Sequence, residues 1–497
     1  MSEKLPSSFT KSLNLVDSTA IVVGSMIGSG IFIVSAEMSR TVGSPGWLLV
    51  AWLITGFMTI IGALSYGELA SMMPKAGGQY VYLREAYNPL VGFLYGWTLF
   101  MVIQTGTIAA VAMAFAKFAG VLIPWVGESN ILLQAGPVKI STVHIVAVSS
   151  IILLTWINTR GIKAGKRVQN AFTFTKLMIL LLFLLAGFFF AGSLGYHVSS
   201  DYFWRPASLD KVTGVVTPLS GMMIVVALGM AMVGSLFTCD AWNNIAFASG
   251  EVINPRRTVP LAMFWGTVIA FTLFFLSNVV YIKVLPLRGT PFGSTVVERG
   301  IAFASRDTLG TVTISSIFGD YAAFIMAAFI VISTFGCNNG LILSGARVYY
   351  AMAKDKLFFN AAGRLNDRNV PGSGLVFQCV WASLLCLSGS YSQLLDYVVF
   401  AVLIFYVLTI VGIFILRKRR PAEEREFKAF GYPAIQVIYI FLAVAIMIIL
   451  LAFKPKFTWP GLIIVVIGIP VYYLWKNLVR TTGSGEGIHG LNGKGKA

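Results

Sequence analysis

Charge is scarce in this chain, and acidic charge most of all. Of 497 residues only 11% are charged, and 20 acidic side chains stand against 37 basic ones. A soluble fold of this length needs about a quarter charged residues to cover its domains, so a soluble multidomain protein is excluded. Histidine and cysteine are nearly absent, at three and four. His144, His197 and His489 form no H-E-x-x-H or other paired arrangement, and no nucleophile elbow accompanies them. The chain therefore does not read as an enzyme, and neither a metal nor a cofactor is called for. Cys239, Cys337, Cys379 and Cys386 all fall in long apolar stretches, which excludes an external disulfide framework and offers no metal-ligand spacing. What remains is apolar: 57% of residues are hydrophobic, far too many for a disordered chain. This is the composition of a multi-pass membrane protein.

A spanning helix needs about 20 mostly apolar residues. Twelve stretches qualify, near 15–39, 46–72, 90–117, 142–157, 168–192, 217–249, 259–283, 320–353, 374–391, 394–416, 433–453 and 458–475. They are continuous and lack the alternation of barrel strands, so the fold class is all-α integral membrane with 12 transmembrane helices. Lys and Arg orient them. With the N-terminus inside, 25 of the 37 lie in inside segments, 11 outside, and one, Lys176, within a span. Both termini are thus expected in the cytoplasm, and the net charge of +17 is largely a topology signal. No basic segment forms a soluble domain, so nucleic acid is not a partner; the lipid bilayer is. The first fourteen residues are polar and the apolar stretch after them is too long for a cleaved signal. They are expected to be a cytoplasmic N-terminus, and the Gly-rich 476–497 a flexible cytoplasmic tail.

Two spans are interrupted. The first contains Gly24-Ser25-Met26-Ile27-Gly28-Ser29-Gly30-Ile31-Phe32. Each glycine costs a helix interior about 1 kcal/mol relative to alanine, so the pair around Ser29 marks either a break or a close helix contact. It is not a dinucleotide fingerprint, because the third position is Ile33 and no strand precedes it. The sixth span contains Ser235-Leu236-Phe237-Thr238-Cys239-Asp240-Ala241-Trp242-Asn243-Asn244, with six polar or ionisable side chains in an apolar stretch. Unwound backbone at membrane depth is tolerated only where it meets protein or a watery cavity. Breaks that open the first and sixth of twelve spans lie about 210 residues apart and point to a transporter's substrate site. Five helices per half make the second half inverted. A channel fits less well, since no repeated filter-like segment is present.

The sequence resembles the amino acid–polyamine–organocation (APC) superfamily, and within it the L-amino acid transporter (LAT) group. The resemblance rests on Gly28-Ser29-Gly30-Ile31-Phe32, Tyr66-Gly67-Glu68-Leu69 and Pro74-Lys75-Ala76-Gly77-Gly78-Gln79-Tyr80. Phe237 to Asn243 and Glu251-Val252-Ile253-Asn254-Pro255-Arg256-Arg257 add to it, and it covers residues 10 to about 475. It implies a LeuT-type 5+5 inverted repeat with unwound helices 1 and 6. The first repeat would occupy 15–200 (helices 1–5), the second 215–416 (helices 6–10), with helices 11–12 at 433–475. The absence of an N-x-Ser/Thr sequon is in keeping with a bacterial-type member.

The resemblance also implies a substrate site. The α-carboxylate of an amino acid would sit against the backbone N–H groups of Gly28, Ser29 and Gly30, where unpaired donors meet the positive end of a helix dipole. The α-ammonium would be held by the carbonyls of Ile27, Phe237 and Thr238, with the Phe237 ring as gate. Cys239, Asp240, Trp242 and Asn243 would complete the pocket. Asp240 has two readings, as helix cap toward Asn243 and as a residue that shapes the pocket, and an acidic pocket side chain also favours cationic substrates. Lys176 is costly at membrane depth and should find acceptors in the interior, unless it snorkels to the surface. In the LAT group a lysine here points at helix 1, where sodium-coupled relatives bind an ion, which implies sodium independence.

The expected function is therefore sodium-independent exchange of small or neutral L-amino acids of the serine, threonine or alanine type, by alternating access at the cell membrane. The alternative is a proton-coupled symporter that uses Lys176. Glu68 and Glu251 are expected in ion pairs with Lys75, Arg84 or Arg256. Eukaryotic LAT proteins join a single-pass glycoprotein through a cysteine after helix 3. Residues 118–141 contain none, so no disulfide-linked heavy chain is expected and the chain should function as a monomer.

Overall fold

The structure, a computed structural model, describes residues 10–135, 138–194, 201–387 and 391–483. Its helices are, in order, α1 (Leu15–Met26), α2 (Val34–Val42), α3 (Pro45–Met72), α4 (Gln79–Ala86), α5 (Pro89–Thr98), α6 (Gln104–Leu122), α7 (Thr142–Thr159), α8 (Ile162–Phe190) and α9 (Met222–Thr238). There follow α10 (Asn244–Phe247), α11 (Pro255–Val284), α12 (Val296–Arg299), α13 (Leu309–Phe318), α14 (Asp320–Lys354), α15 (Gly372–Cys386), α16 (Tyr391–Arg419), α17 (Ala434–Phe453) and α18 (Pro455–Gly483). Among the described residues ten helical stretches are long and apolar enough to cross a membrane. The expected sixth span is split, which leaves α9 at 17 residues, and the ninth shortens to the 15 residues of α15.

Local sequence explains several helix starts. Asn14 and Asp17 form a reciprocal cap, each side chain accepting from the other's N–H at 2.9 and 3.1 Å, and launch α1. Ser44-Pro45 and Asn88-Pro89 open α3 and α5 with a side-chain acceptor before a proline that has no N–H to satisfy. Apolar side chains such as Phe57, Trp156, Leu182, Phe441 and Val466 stay exposed, as a lipid-facing surface requires.

The helices pack in two groups. α11 lies along α3 and α1, and α9 packs on α2 and α3. In the other group α14 lies along α6, with α15 against α6 and α7. α8 bridges them, touching α1, α11 and α14. Two small antiparallel hairpins lie in connections: β1 (Ile131–Ala135) with β2 (Val138–Ser141), and β3 (Ala207–Leu209) with β4 (Val216–Pro218). The segment expected as a tail is helical as far as Gly483, and from 484 on it lies outside the described residues, as do residues 1–9.

Candidate functional site

Both interruptions are breaks. The first ladder closes with the Ile27 N–H on the Val23 carbonyl, where Ile27 turns extended. The chain then makes one tight turn, Phe32 and Ile33 N–H bonding back to Ser29 and Gly30, before α2 begins. Close approach accounts for the glycines. A Cβ on Gly30 would lie 2.3 Å from Thr238 Oγ1, and one on Gly28 would lie 2.8 Å from Cys337 Sγ. The first break is thus pressed against the second break on one side and α14 on the other.

The second break runs from Cys239 to Asn243, with Ala241 in the left-handed region at φ 67°. Asp240 does not cap the helix that follows it. The N-cap of α10 is Asn243, which makes no side-chain capping bond, and Asp240 instead accepts a hydrogen bond from the Tyr406 hydroxyl of α16. Of the two expectations for Asp240, capping toward Asn243 gives way because α16 brings a stronger O–H donor to the carboxylate. Trp242 packs edge-on to Tyr66 at 4.8 Å and close to Tyr406 at 5.3 Å. Asn243 donates to Gln79 at 3.1 Å, and Gln79 donates onward to Thr409 at 3.1 Å. Two water-sized cavities of about 20 Å³ each flank Asp240, and both are also lined by Val402 and Tyr406. No Lys or Arg pairs with Asp240 among the described residues.

Lys176 does not snorkel. Its side chain is 1% exposed, and its ammonium donates to the Gly24 carbonyl at 2.5 Å and the Ile27 carbonyl at 2.9 Å. These are carbonyls that the break leaves free of the next helical turn. Ser333 of α14 also donates to Ile27 O at 3.4 Å. The Ile27 carbonyl, expected for the substrate ammonium, is therefore engaged by Lys176 and Ser333 here. The Phe237 carbonyl likewise takes the N–H groups of Cys239 and Asp240. Two expected acceptors are thus satisfied within the chain, because the broken ends find internal donors.

Ion pairs close both ends of the bundle. At the end that carries the N-terminus, Glu251 and Arg347 pair at 2.8 Å, both side chains 2% exposed. The Glu251 carbonyl also accepts from the N–H groups of Ser12 and Leu13 at 2.8 and 3.0 Å. Glu68 pairs with Arg417 at 2.6 Å and Arg425 at 3.3 Å. The partners expected from sequence were others. Arg84 goes to Asp355 and Glu85, and Arg256 to Glu424 and Glu426, because helix packing brings Arg347 and Arg417 closer than the neighbouring basic residues. At the opposite end Arg40 of α2 pairs with Asp307 at 2.8 Å and donates to Ala302 O at 2.5 Å. Burial works to raise the Asp307 pKa, but Arg40, Lys117 and Lys211 outweigh it and hold the carboxyl below its usual range.

Sequence reasoning missed Tyr406, Gln79, Cys337 and Ser333. Gln79 stands in the Pro74–Tyr80 motif but was not given a site role; Tyr406, Cys337 and Ser333 lie on elements far along the chain from the breaks, and no local pattern distinguishes them. Among the described residues no group of three or more His, Cys, Asp or Glu side chains is placed to hold a metal.

The family model described as amino acid permease matches residues 13–472. The chain is 27% identical to the human large neutral amino acids transporter small subunit 2 over 470 residues, 93% of this chain and 80% of that one. It is 27% identical to the human b(0,+)-type amino acid transporter 1 over 481 residues, 95% and 89% of the two chains. With the mouse Asc-type amino acid transporter 1 it shares 26% over 469 residues, 93% and 81%.

Proposed function

From a chain that belongs to the amino acid permease family, and whose relatives are LAT-type transporters rather than enzymes, we propose a sodium-independent exchanger of small or neutral L-amino acids. It is a multi-pass membrane protein that transports amino acids. The finer reading is twelve spans in a LeuT-type 5+5 repeat, with both termini cytoplasmic in the cell membrane and the chain working alone. Serine, threonine and alanine are the proposed substrates.

One observation carries the sodium-independent reading: the Lys176 ammonium on the Gly24 and Ile27 carbonyls. A fixed cation already satisfies the oxygens that a bound ion would have to bring together, so none is needed to join α8 to α1. The substrate carboxylate is proposed to meet the backbone of Gly28, Ser29 and Gly30, and the ammonium the carbonyl edge of Ile27, Phe237 and Thr238. Because Ile27 and Phe237 are engaged here, substrate entry has to share or displace those bonds. Cys239, Asp240, Trp242 and Asn243 are proposed to shape the side-chain end, together with Tyr406.

A second reading has its own support. Asp240 is a half-buried carboxylate with no basic partner among the described residues, which favours a substrate that brings a positive charge. Lysine and arginine competing with serine for uptake support that reading, and their failure to compete supports neutral specificity. Exchange itself is tested with purified protein in liposomes. Uptake of labelled serine should require unlabelled amino acid inside. Uptake into empty vesicles that follows an imposed proton gradient would support symport through Lys176 instead.

A further inference from the structure

The inner half of the first span, α1, is held along one side by a ladder of polar bonds. Asn170 donates to Asp17 at 2.9 Å, Thr173 to Ala20 O at 3.1 Å and Lys176 to Gly24 O. From α14, Cys337 donates to Ser25 O at 3.0 Å. Two groups in the same seam are left out. Ser25 Oγ, on α1, and Gln169 Nε2, on α8, are buried and have no hydrogen-bond partner among the described residues.

Their neighbours explain why. Gln169 ends a chain of amides in which Asn158 donates to Asn339 at 2.9 Å and Asn339 donates to Gln169 Oε1 at 3.1 Å. Reversing every amide only moves the loose end from Gln169 Nε2 to Gln169 Oε1, so one atom of this side chain stays unsatisfied either way. Ser25 and Gln169 also pack over glycines. A Cβ on Gly340 would lie 2.5 Å from Ser25 Oγ and 3.1 Å from Gln169 Nε2, and one on Gly24 would lie 2.2 Å from Gln169 Nε2. The seam is tight, and these two atoms are shut in without partners among the described residues.

We propose that Ser25 and Gln169 are positioning residues that bias the inner half of the first span toward opening. An unmade buried hydrogen bond is costly only while water is excluded. When α1 separates from α8 and α14, water reaches both atoms and the cost disappears. The ladder of bonds opposes opening and the two orphaned groups favour it, so the closed state is held firmly without being locked. The inference rests on the alternating-access reading above, but its test needs no substrate.

Ser25→Ala is the clean perturbation, since it removes an unsatisfied hydroxyl and no bond, leaving the Ser25 carbonyl to Cys337. The closed form should gain about fivefold or more over the open one. Hydrogen exchange of peptides covering Leu15–Met26 in the purified chain should slow by that factor, while peptides from α3 exchange as before. N-ethylmaleimide should label Cys337, followed by peptide mass spectrometry, more slowly by the same factor. Unchanged or faster exchange and labelling in Ser25→Ala would overturn the proposal. Slowed exchange with no measurable transport would uphold it and reject the transport reading alone.

Discussion

Replacing Lys176 by methionine keeps the length and apolar stem of the side chain and removes only the ammonium. In the structure that ammonium makes two bonds, to Gly24 O at 2.5 Å and Ile27 O at 2.9 Å. Hydrogen bonds from a charged donor contribute about 1.5–3 kcal/mol each. Those values are already net of desolvation, and because one ammonium serves both carbonyls the pair contributes less than twice the single value. A net loss of about 2–3 kcal/mol for the seam between α1 and α8 is the consequence, since Ile27 O keeps only Ser333 at 3.4 Å and Gly24 O loses its side-chain donor. At 1.4 kcal/mol per tenfold, closure of α1 should become about 30- to 150-fold less favourable. The assay is the initial rate of labelled serine exchange in liposomes, at matched protein content and after a monodisperse elution profile has shown that Lys176→Met folds. Exchange should fall by a factor in that range. A rate within about twofold of the parent would refute the reasoning, because it would mean that the two bonds contribute nothing to the step that limits transport.

Other perturbations test separate parts of the structure. Arg347→Met leaves Glu251 buried without its partner and should cost about 3–5 kcal/mol, read as a large drop in thermal stability in detergent; Arg347→Met/Glu251→Leu should recover much of it. Gly30→Ala forces a methyl to 2.3 Å from Thr238 Oγ1 and should abolish binding of labelled serine while Gly192→Ala, with nothing within 4 Å, leaves it unchanged. Asp240→Asn should remove any inhibition of serine uptake by lysine or arginine and leave inhibition by alanine in place. The Arg40–Asp307 pair sets a pH dependence. A carboxyl with a lowered folded-state pKa contributes stability above its unfolded value of about 4 and loses it as pH falls through the lower folded value. The opening free energy read from hydrogen exchange of α2 peptides should therefore be flat from about pH 5 to 8 and fall only in more acidic solution. Asp307→Asn should give the opened behaviour at every pH.

The parts of the structure that were legible in sequence are those that depend on composition and on local breaks. Long apolar runs gave the helices, Gly28-Ser29-Gly30 and Cys239 to Asn243 gave the two interruptions, and the cost of burying Lys176 directed it inward. The shortened ninth span and the two hairpins were not legible, because an apolar run shows where a helix is affordable in lipid and not where it ends. Partners were legible least. Asp240 and Tyr406 are 166 residues apart, Gln169 and Asn339 are 170, and Glu251 and Arg347 are 96. Such pairs are set by the packing of α8, α14 and α16, and proximity in sequence favoured Arg84 and Arg256 wrongly. The oxygens proposed for the substrate ammonium show the same limit. Ile27 and Phe237 sit at the broken ends as expected, yet their carbonyls already hold donors from the chain itself.

The role of the Lys176 ammonium as a built-in cation is tested most directly by the ion dependence of exchange. Liposomes loaded with unlabelled serine should take up labelled serine at the same initial rate in choline chloride as in sodium chloride, with no pH gradient. A rate that rises with sodium and collapses without it would show that a bound ion, and not Lys176, joins the two halves of the site.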